Sequence, residues 1–201
     1  MTDKYKNKYR VSSARLQKWD YGWAAPYFVT INTKDRVHYF GEVINGEMIL
    51  SEMGRVANDE WTKTPIIRPD MNIELDEFCV MPNHFHCIII IGKNNFNQRK
   101  TDGGTDDCGL DGRTDALQCV STQNPIPPSP KNQFGPQRKN LGSIIGGYKS
   151  AVTTYARINN IEFDWQARFH EHIIRDNTEF QRIKWYIKNN PKNWDKDILN
   201  K

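Results

Sequence analysis

The stretch Met81-Pro82-Asn83-His84-Phe85-His86-Cys87-Ile88-Ile89-Ile90-Ile91 constrains the fold more than any other part of the chain. Its apolar run reads as a buried strand from His84 to Ile91, with Pro82 closing the strand before it. Successive side chains of a strand point to opposite faces, so His84 and His86 share one face and Phe85 and Cys87 take the other. Two of the five histidines are thereby set side by side. Imidazoles are costly to bury, and a pair this close can grip one ion. Cys87 points away from both and is not a ligand.

The flanking sequence supplies the elements that this strand needs. Tyr27 to Asn32 is aromatic and β-branched and reads as a strand, with Val37 to Phe40 its continuation or a hairpin partner. Asn45-Gly46 is a turn signal. Met48, Leu50, Met53, Val56 and Trp61 predict a helix from Met48 to about Trp61, ended by Pro65 and Pro69. Met71 to Val80 reads as a strand, paired antiparallel with His84–Ile91 through the short Met81-Pro82-Asn83 connection. Leu141 to about Ile158 repeats apolar residues at helical spacing, and Phe163 to Ile174 alternates like a strand. A last helix starts at Asp176, with Glu179 three residues on as a capping box, and stops before Pro191. Phe180, Ile183 and Ile187 form its apolar stripe.

Strand, helix, strand, strand, helix, strand is the order of a ferredoxin-like or RNA-recognition-like α+β sandwich, one antiparallel sheet with helices on one face. The extra C-terminal helix is then free to lie across the sheet near the histidine strand. The 201 residues suit one domain with a core from about 27 to 194. Residues 93–140 carry almost no apolar periodicity and read as a mobile insertion.

Composition excludes several classes. No apolar run approaches the length of a membrane span, and the N-terminus lacks a signal-peptide core, so a cytoplasmic protein is expected. Cys79, Cys87, Cys108 and Cys119 form no CxxC pair and read as reduced thiols. The net charge of +4 is mildly basic, and its distribution is more telling than its size. Arg182, Lys184, Lys188, Lys192, Lys196 and Lys201 are interleaved with Trp185, Tyr186 and Trp194 near the C-terminus. Such a stripe suits phosphates and stacked bases, and equally a solvated helix face with core rings.

Tyr186 and Asn190 are four residues apart and share a helix face. A helix beside the histidines would bring His84, His86, Asn190 and Tyr186 together. Two imidazoles and an amide oxygen leave the charge of a divalent ion undiminished and suit Mg²⁺ or Mn²⁺ better than tightly held Zn²⁺. The ion would polarise a phosphate while the Tyr186 oxygen attacks it.

Pro82-Asn83-His84-Phe85-His86, Trp165 to Asp176, and Tyr186-Ile187-Lys188-Asn189-Asn190-Pro191 together resemble the single-tyrosine HUH transposases, most of all the REP-associated tyrosine transposase branch. The resemblance runs from about Tyr27 to Trp194, apart from the insertion. It implies metal binding by His84, His86 and Asn190, with Tyr186 as nucleophile. It implies cleavage and joining of single-stranded DNA near hairpins, through a 5′-phosphotyrosine link, by a homodimer. Asn190 stands where mobile-element members have glutamine, which favours DNA processing over self-mobilisation. The cations assigned to DNA are Arg168, Arg182, Lys184, Lys188 and Lys149. Tyr148 is a rival nucleophile that also falls on an apolar stripe, and His170 and His172 form a second alternating pair. Two other readings stay open at this point: a hairpin-DNA binder that does not cut, and a histidine-triad nucleotide hydrolase, for which Ile88 stands where a third histidine is expected.

Overall fold

The computed structural model describes residues 19–98 and 138–200. Most of the segment expected to be an insertion, 99–137, therefore lies outside the described residues, as do Cys108 and Cys119.

The described residues form six strands and four α-helices: β1 (Ala25–Asn32), β2 (Gly41–Ile44), β3 (Glu47–Leu50), α1 (Glu52–Thr62), α2 (Thr64–Ile67), β4 (Ile73–Met81), β5 (His84–Ile91), α3 (Leu141–Ile158), β6 (His170–Ile173) and α4 (Asn177–Lys188). The main sheet has the order β4-β5-β1-β6, and every neighbouring pair in it is antiparallel. With β1, β4, β5 and β6 as the core strands and α1 and α3 as the two crossovers, this is the expected ferredoxin-like α+β topology.

The central strand β5 is buried along its whole length. Its alternation sorts the molecule into two layers. Phe85, Cys87, Ile89 and Ile91 join Tyr27, Val29, Ile31 and the apolar faces of α1 and α3 in the main core. Ile88 and Ile90 face the other way and are covered by Ile174 and by Phe180, Ile183 and Ile187 of α4. Burying each such aliphatic side chain contributes roughly 1.5–3 kcal/mol. The helix thus lies across the open face of the sheet, on the same side as His84 and His86.

Three local expectations are corrected. Met48 to Leu50 belong to β3, because Asn45 and Gly46 take positive φ and close a two-residue hairpin that pairs Ile44 with Glu47. The helix starts only after Ser51, whose hydroxyl accepts from Gly54 N at 3.0 Å. Val37 to Phe40 are the irregular connection into that hairpin, neither a continuation of β1 nor a pairing strand. Phe163 to Phe169 is likewise not strand: among the described residues its backbone pairs through an isolated Thr33–Trp165 bridge, and Arg168 sits at φ 68°. The apolar alternation there reflects ring packing, with Phe163 and Trp165 centroids 5.0 Å apart and both against Phe40. Pairing resumes at His170.

The start of the expected insertion is also more ordered than its composition suggests. Asn94 is buried, and its Nδ2 donates to Met71 O at 2.9 Å and Gly92 O at 3.1 Å. Asn97 Nδ2 reaches back to Gly22 O at 3.1 Å. Side-chain amides here satisfy backbone carbonyls in place of apolar packing.

Candidate active site

β4 and β5 are joined by a tight connection whose Asn83 is fully buried. Thr33 N and Thr33 Oγ1 both donate to Asn83 O, each at 2.9 Å, and this pins the entrance of β5 to the end of β1. His84 and His86 follow on one face, 0% and 2% exposed, with ring centroids 4.5 Å apart. Each ring is held through Nδ1: Asn83 Oδ1 lies 2.8 Å from His84 Nδ1, and Thr30 Oγ1 lies 2.9 Å from His86 Nδ1. Thr30 is the cross-strand partner of His86.

α4 delivers the tyrosine. Asp176 caps it by accepting from Glu179 N at 2.8 Å. Glu179 reaches back to Arg175 N at 3.0 Å, one residue earlier than a capping box requires, and lies 2.8 Å from His172 Nε2 of β6. At its other edge Lys184 is paired with Asp76, Nζ lying 2.8 and 3.0 Å from the two carboxylate oxygens. Asp76 sits at a bulge in β4 between Leu75 and Phe78. Held at both edges and along its apolar stripe, α4 places Tyr186 Oη 3.2 Å from His86 Nε2. The ring also meets Phe28 edge-on at 6.2 Å and is 41% exposed, so the phenol is half in the site and half open to solvent.

After Pro191 the chain turns through a 3₁₀ segment, Pro191–Lys196, and returns across the histidines. Trp194 packs 5.9 Å from the His84 ring. Asp197 follows, its Oδ2 4.0 Å from His84 Nε2, and Asn190 Nδ2 donates to the same oxygen at 3.0 Å. Leu199 O then accepts from Asn83 Nδ2 at 2.8 Å and from Arg36 Nη1 at 3.3 Å.

His84, His86, Asn190 and Tyr186 therefore meet, as expected, and Asp197 joins them. The ligand atoms of His84, His86 and Asp197 all lie within 4.8 Å of one another, and the group could hold a metal ion. His84 Nε2 and Asn190 Oδ1 are both buried without a hydrogen-bond partner among the described residues. Asn190 turns its Nδ2 to Asp197, so Oδ1 is the atom left without a partner, and it is an acceptor. Converging acceptors with no donor between them fit a cation and are costly without one. With Asp197 the set is no longer the uncharged one expected from sequence: one carboxylate reduces the charge that a divalent ion shows to a substrate. Asp197 appeared in the sequence only as an acid within a basic stripe; its burial, with a side chain 4% exposed, is a tertiary fact.

Burial sets the protonation of the cluster. It pushes His84 down to about 4, against the partial opposition of Asp197, and pushes His86 well down too, with His84 and His170 adding to the effect. Both rings are neutral at pH 7, as metal ligands must be. The Tyr186 phenol is raised, first by burial and then by the Asp197 charge, while the Asn190 amide works the other way. It carries its proton at neutral pH.

The assigned cations divide. Arg182 and Lys188 are exposed on α4, and Arg182 lies 3.5 Å from Glu179. Lys184 is committed to Asp76. Lys149 donates to Gln166 O at 2.7 Å and Arg168 O at 3.2 Å and lies 5.5 Å from the Trp165 ring centre, so it holds the loop before β6. Arg168 is exposed on that loop. Tyr148 is buried on the far side of the sheet between Trp61, Phe85 and Trp165, which places it in the core and away from the histidines. His172 holds Glu179, and His170 is exposed on the histidine face, one strand beyond Thr30.

No family model matches the sequence. The chain is 37% identical to an uncharacterized protein of Haemophilus influenzae over 201 residues, covering 99% of this chain and 98% of that protein. It belongs to the same family as that protein. A solved structure of a REP-associated tyrosine transposase bound to a REP hairpin is similar in fold, with a TM-score of 0.52 at 17% identity over 92% of this chain and 74% of that one.

Proposed function

We propose that this member of that family is a metal-dependent enzyme that nicks single-stranded DNA and transfers the cut strand through Tyr186. The observation that carries the reading is the placement of a half-exposed phenol oxygen 3.2 Å from one of two buried, neutral imidazoles. A structural tyrosine would be expected to bury its ring as Tyr148 does. The fold it shares with a transposase solved on a hairpin supports DNA as substrate.

His84, His86, Asp197 and Asn190 would hold the ion, Mg²⁺ or Mn²⁺. When bound, the ion supplies charge for a phosphate oxygen and favours the phenolate. Tyr186 Oη bonds to phosphorus, the bond from phosphorus to the 3′ oxygen breaks, and that oxygen leaves as a hydroxyl after taking up a proton. The Tyr186 proton passes to solvent through its open side. The ester energy is kept in a 5′-phosphotyrosine, so a DNA hydroxyl can later attack and rejoin a strand. Arg182, Lys188 and Arg168 are exposed and would meet phosphates, Arg182 from beside Glu179, whereas Lys149 and Lys184 act by positioning the loop and the helix. In this reading residues 1–201 are one transposase-like domain with 93–140 inserted, acting in the cytoplasm as a homodimer. Among the described residues no helix is long and apolar enough to cross a membrane.

The test is adduct formation on a panel of hairpin oligonucleotides with single-stranded flanks. A covalent protein–DNA band that needs Mn²⁺ and vanishes in Tyr186→Phe supports the enzyme. Tight hairpin binding with no band under any metal would instead identify a binder.

A further inference from the structure

The two imidazoles can present ligand atoms to one ion only if both carry their proton on the nitrogen that faces away. We infer that Asn83 and Thr30 are the positioning residues that hold His84 and His86 in the Nδ1–H form, leaving both Nε2 lone pairs to face the cluster. The inference rests on the metal reading above and adds residues to it.

For His84 the assignment follows from donors and acceptors alone. Asn83 Nδ2 donates to Leu199 O at 2.8 Å, which fixes the amide so that Oδ1 is the atom 2.8 Å from His84 Nδ1. An amide oxygen only accepts, so Nδ1 supplies the hydrogen. A neutral ring has one N–H, and Nε2 is left bare. The polar atoms Nε2 meets are the Asp197 carboxylate at 4.0 Å and Asn190 Oδ1, both acceptors, so a bare Nε2 facing them calls for a cation among the three. The carbonyl of Leu199 thus acts at one remove on the His84 ring, and the segment that carries Asp197 also orients the amide that orients His84.

For His86 the partner is a hydroxyl, which can donate or accept. Thr30 Oγ1 sits 2.9 Å from Nδ1 because β1 and β5 pair Thr30 with His86 directly across the ladder. If Nε2 is to serve the same ion as His84 Nε2, Thr30 accepts from Nδ1–H. A hydrogen bond to the distal ring nitrogen fixes ring orientation and raises ligand basicity, and its loss typically weakens metal binding about 10–100-fold.

The experiment uses the full chain without DNA. Mn²⁺ affinity is measured by titration calorimetry, and the ring protonation of the ion-free protein by ¹⁵N–¹H correlation spectra of the histidine side chains. Wild type is expected to show Nδ1–H for both rings. Thr30→Val, nearly isosteric, should bind Mn²⁺ about 10–100-fold more weakly and lose the fixed Nδ1–H signal of His86. Thr30→Ser should restore both. Asn83→Leu should do to His84 what Thr30→Val does to His86, and if it fails to fold the threonine pair decides alone. Nε2–H on His84 in wild type, or Thr30→Val binding Mn²⁺ as tightly as wild type, overturns the inference. Failure of wild type to bind any divalent ion sinks the metal reading itself, and the spectra still judge the ring assignment.

Discussion

Asp197 changes the chemistry of the two histidines more than any residue beside them in sequence. It brings a carboxylate to 4.0 Å from His84 Nε2 and also helps to keep the Tyr186 phenol protonated. Asp197→Asn should therefore weaken Mn²⁺ binding by more than about tenfold, or ~1.4 kcal/mol, by calorimetry, while the fold survives. Burial and the Asp197 charge raise the Tyr186 phenol while a bound ion opposes them, so adduct formation should rise with pH from 7 to 9; a flat profile would argue that the ion already supplies the phenolate or that deprotonation does not limit the step. The histidines set the acid limit. His84 lies at about 4 in the folded chain against 6.5 unfolded, so between those values the unfolded chain binds more protons. Stability is thus complete above about 6.5 and falls as pH drops toward 4. Thermal melts across that range should show the decline, and His84→Asn should lessen it while His86, also lowered, keeps the remainder.

At the level of elements, α4 is the decisive piece, and each of its edges was read with different success. Its start at Asp176, its stripe of Phe180, Ile183 and Ile187, and its end before Pro191 follow from local rules, and the structure bears them out. Asp176→Ala should cost about 1 kcal/mol in denaturant unfolding through the lost cap. What local rules omit is the Lys184–Asp76 pair, which depends on a bulge in a strand more than a hundred residues earlier. The outward side of α4 carries Trp185, 66% exposed, between Arg182 and Lys188. If single-stranded DNA runs over this side, Trp185→Ala should lose ~1–3 kcal/mol of oligonucleotide affinity by anisotropy and leave the melting temperature unchanged. Equal affinity would direct the search for the strand to the Arg168 loop.

Over the whole molecule, ligand linkage joins the site to stability. Mn²⁺ at a hundred times its dissociation constant should stabilise the chain by about 2.7 kcal/mol, seen as a raised melting temperature that His86→Ala abolishes. Binding of hairpin DNA should weaken steeply with salt as phosphate contacts release counterions. The sequence by itself determined the order of the core elements, the burial of β5 and the limits of α3 and α4, because alternation, helical period and capping act over a few residues. It also determined that His84 and His86 share a face, and it singled out Tyr186 and Asn190. It misread Met48–Leu50 and Phe163–Phe169, where apolar spacing arose from a hairpin and from ring packing. Only the tertiary structure decided that α4 crosses the histidine face, that Asp197 returns to it, and that Thr30 and Asn83 hold the rings. The α4, Asp197 and Thr30 contacts join segments far apart in the chain, and Asn83, though next to His84, is oriented by the distant Leu199 carbonyl; apolar burial seats the helix, and buried polar atoms find partners wherever the fold brings them.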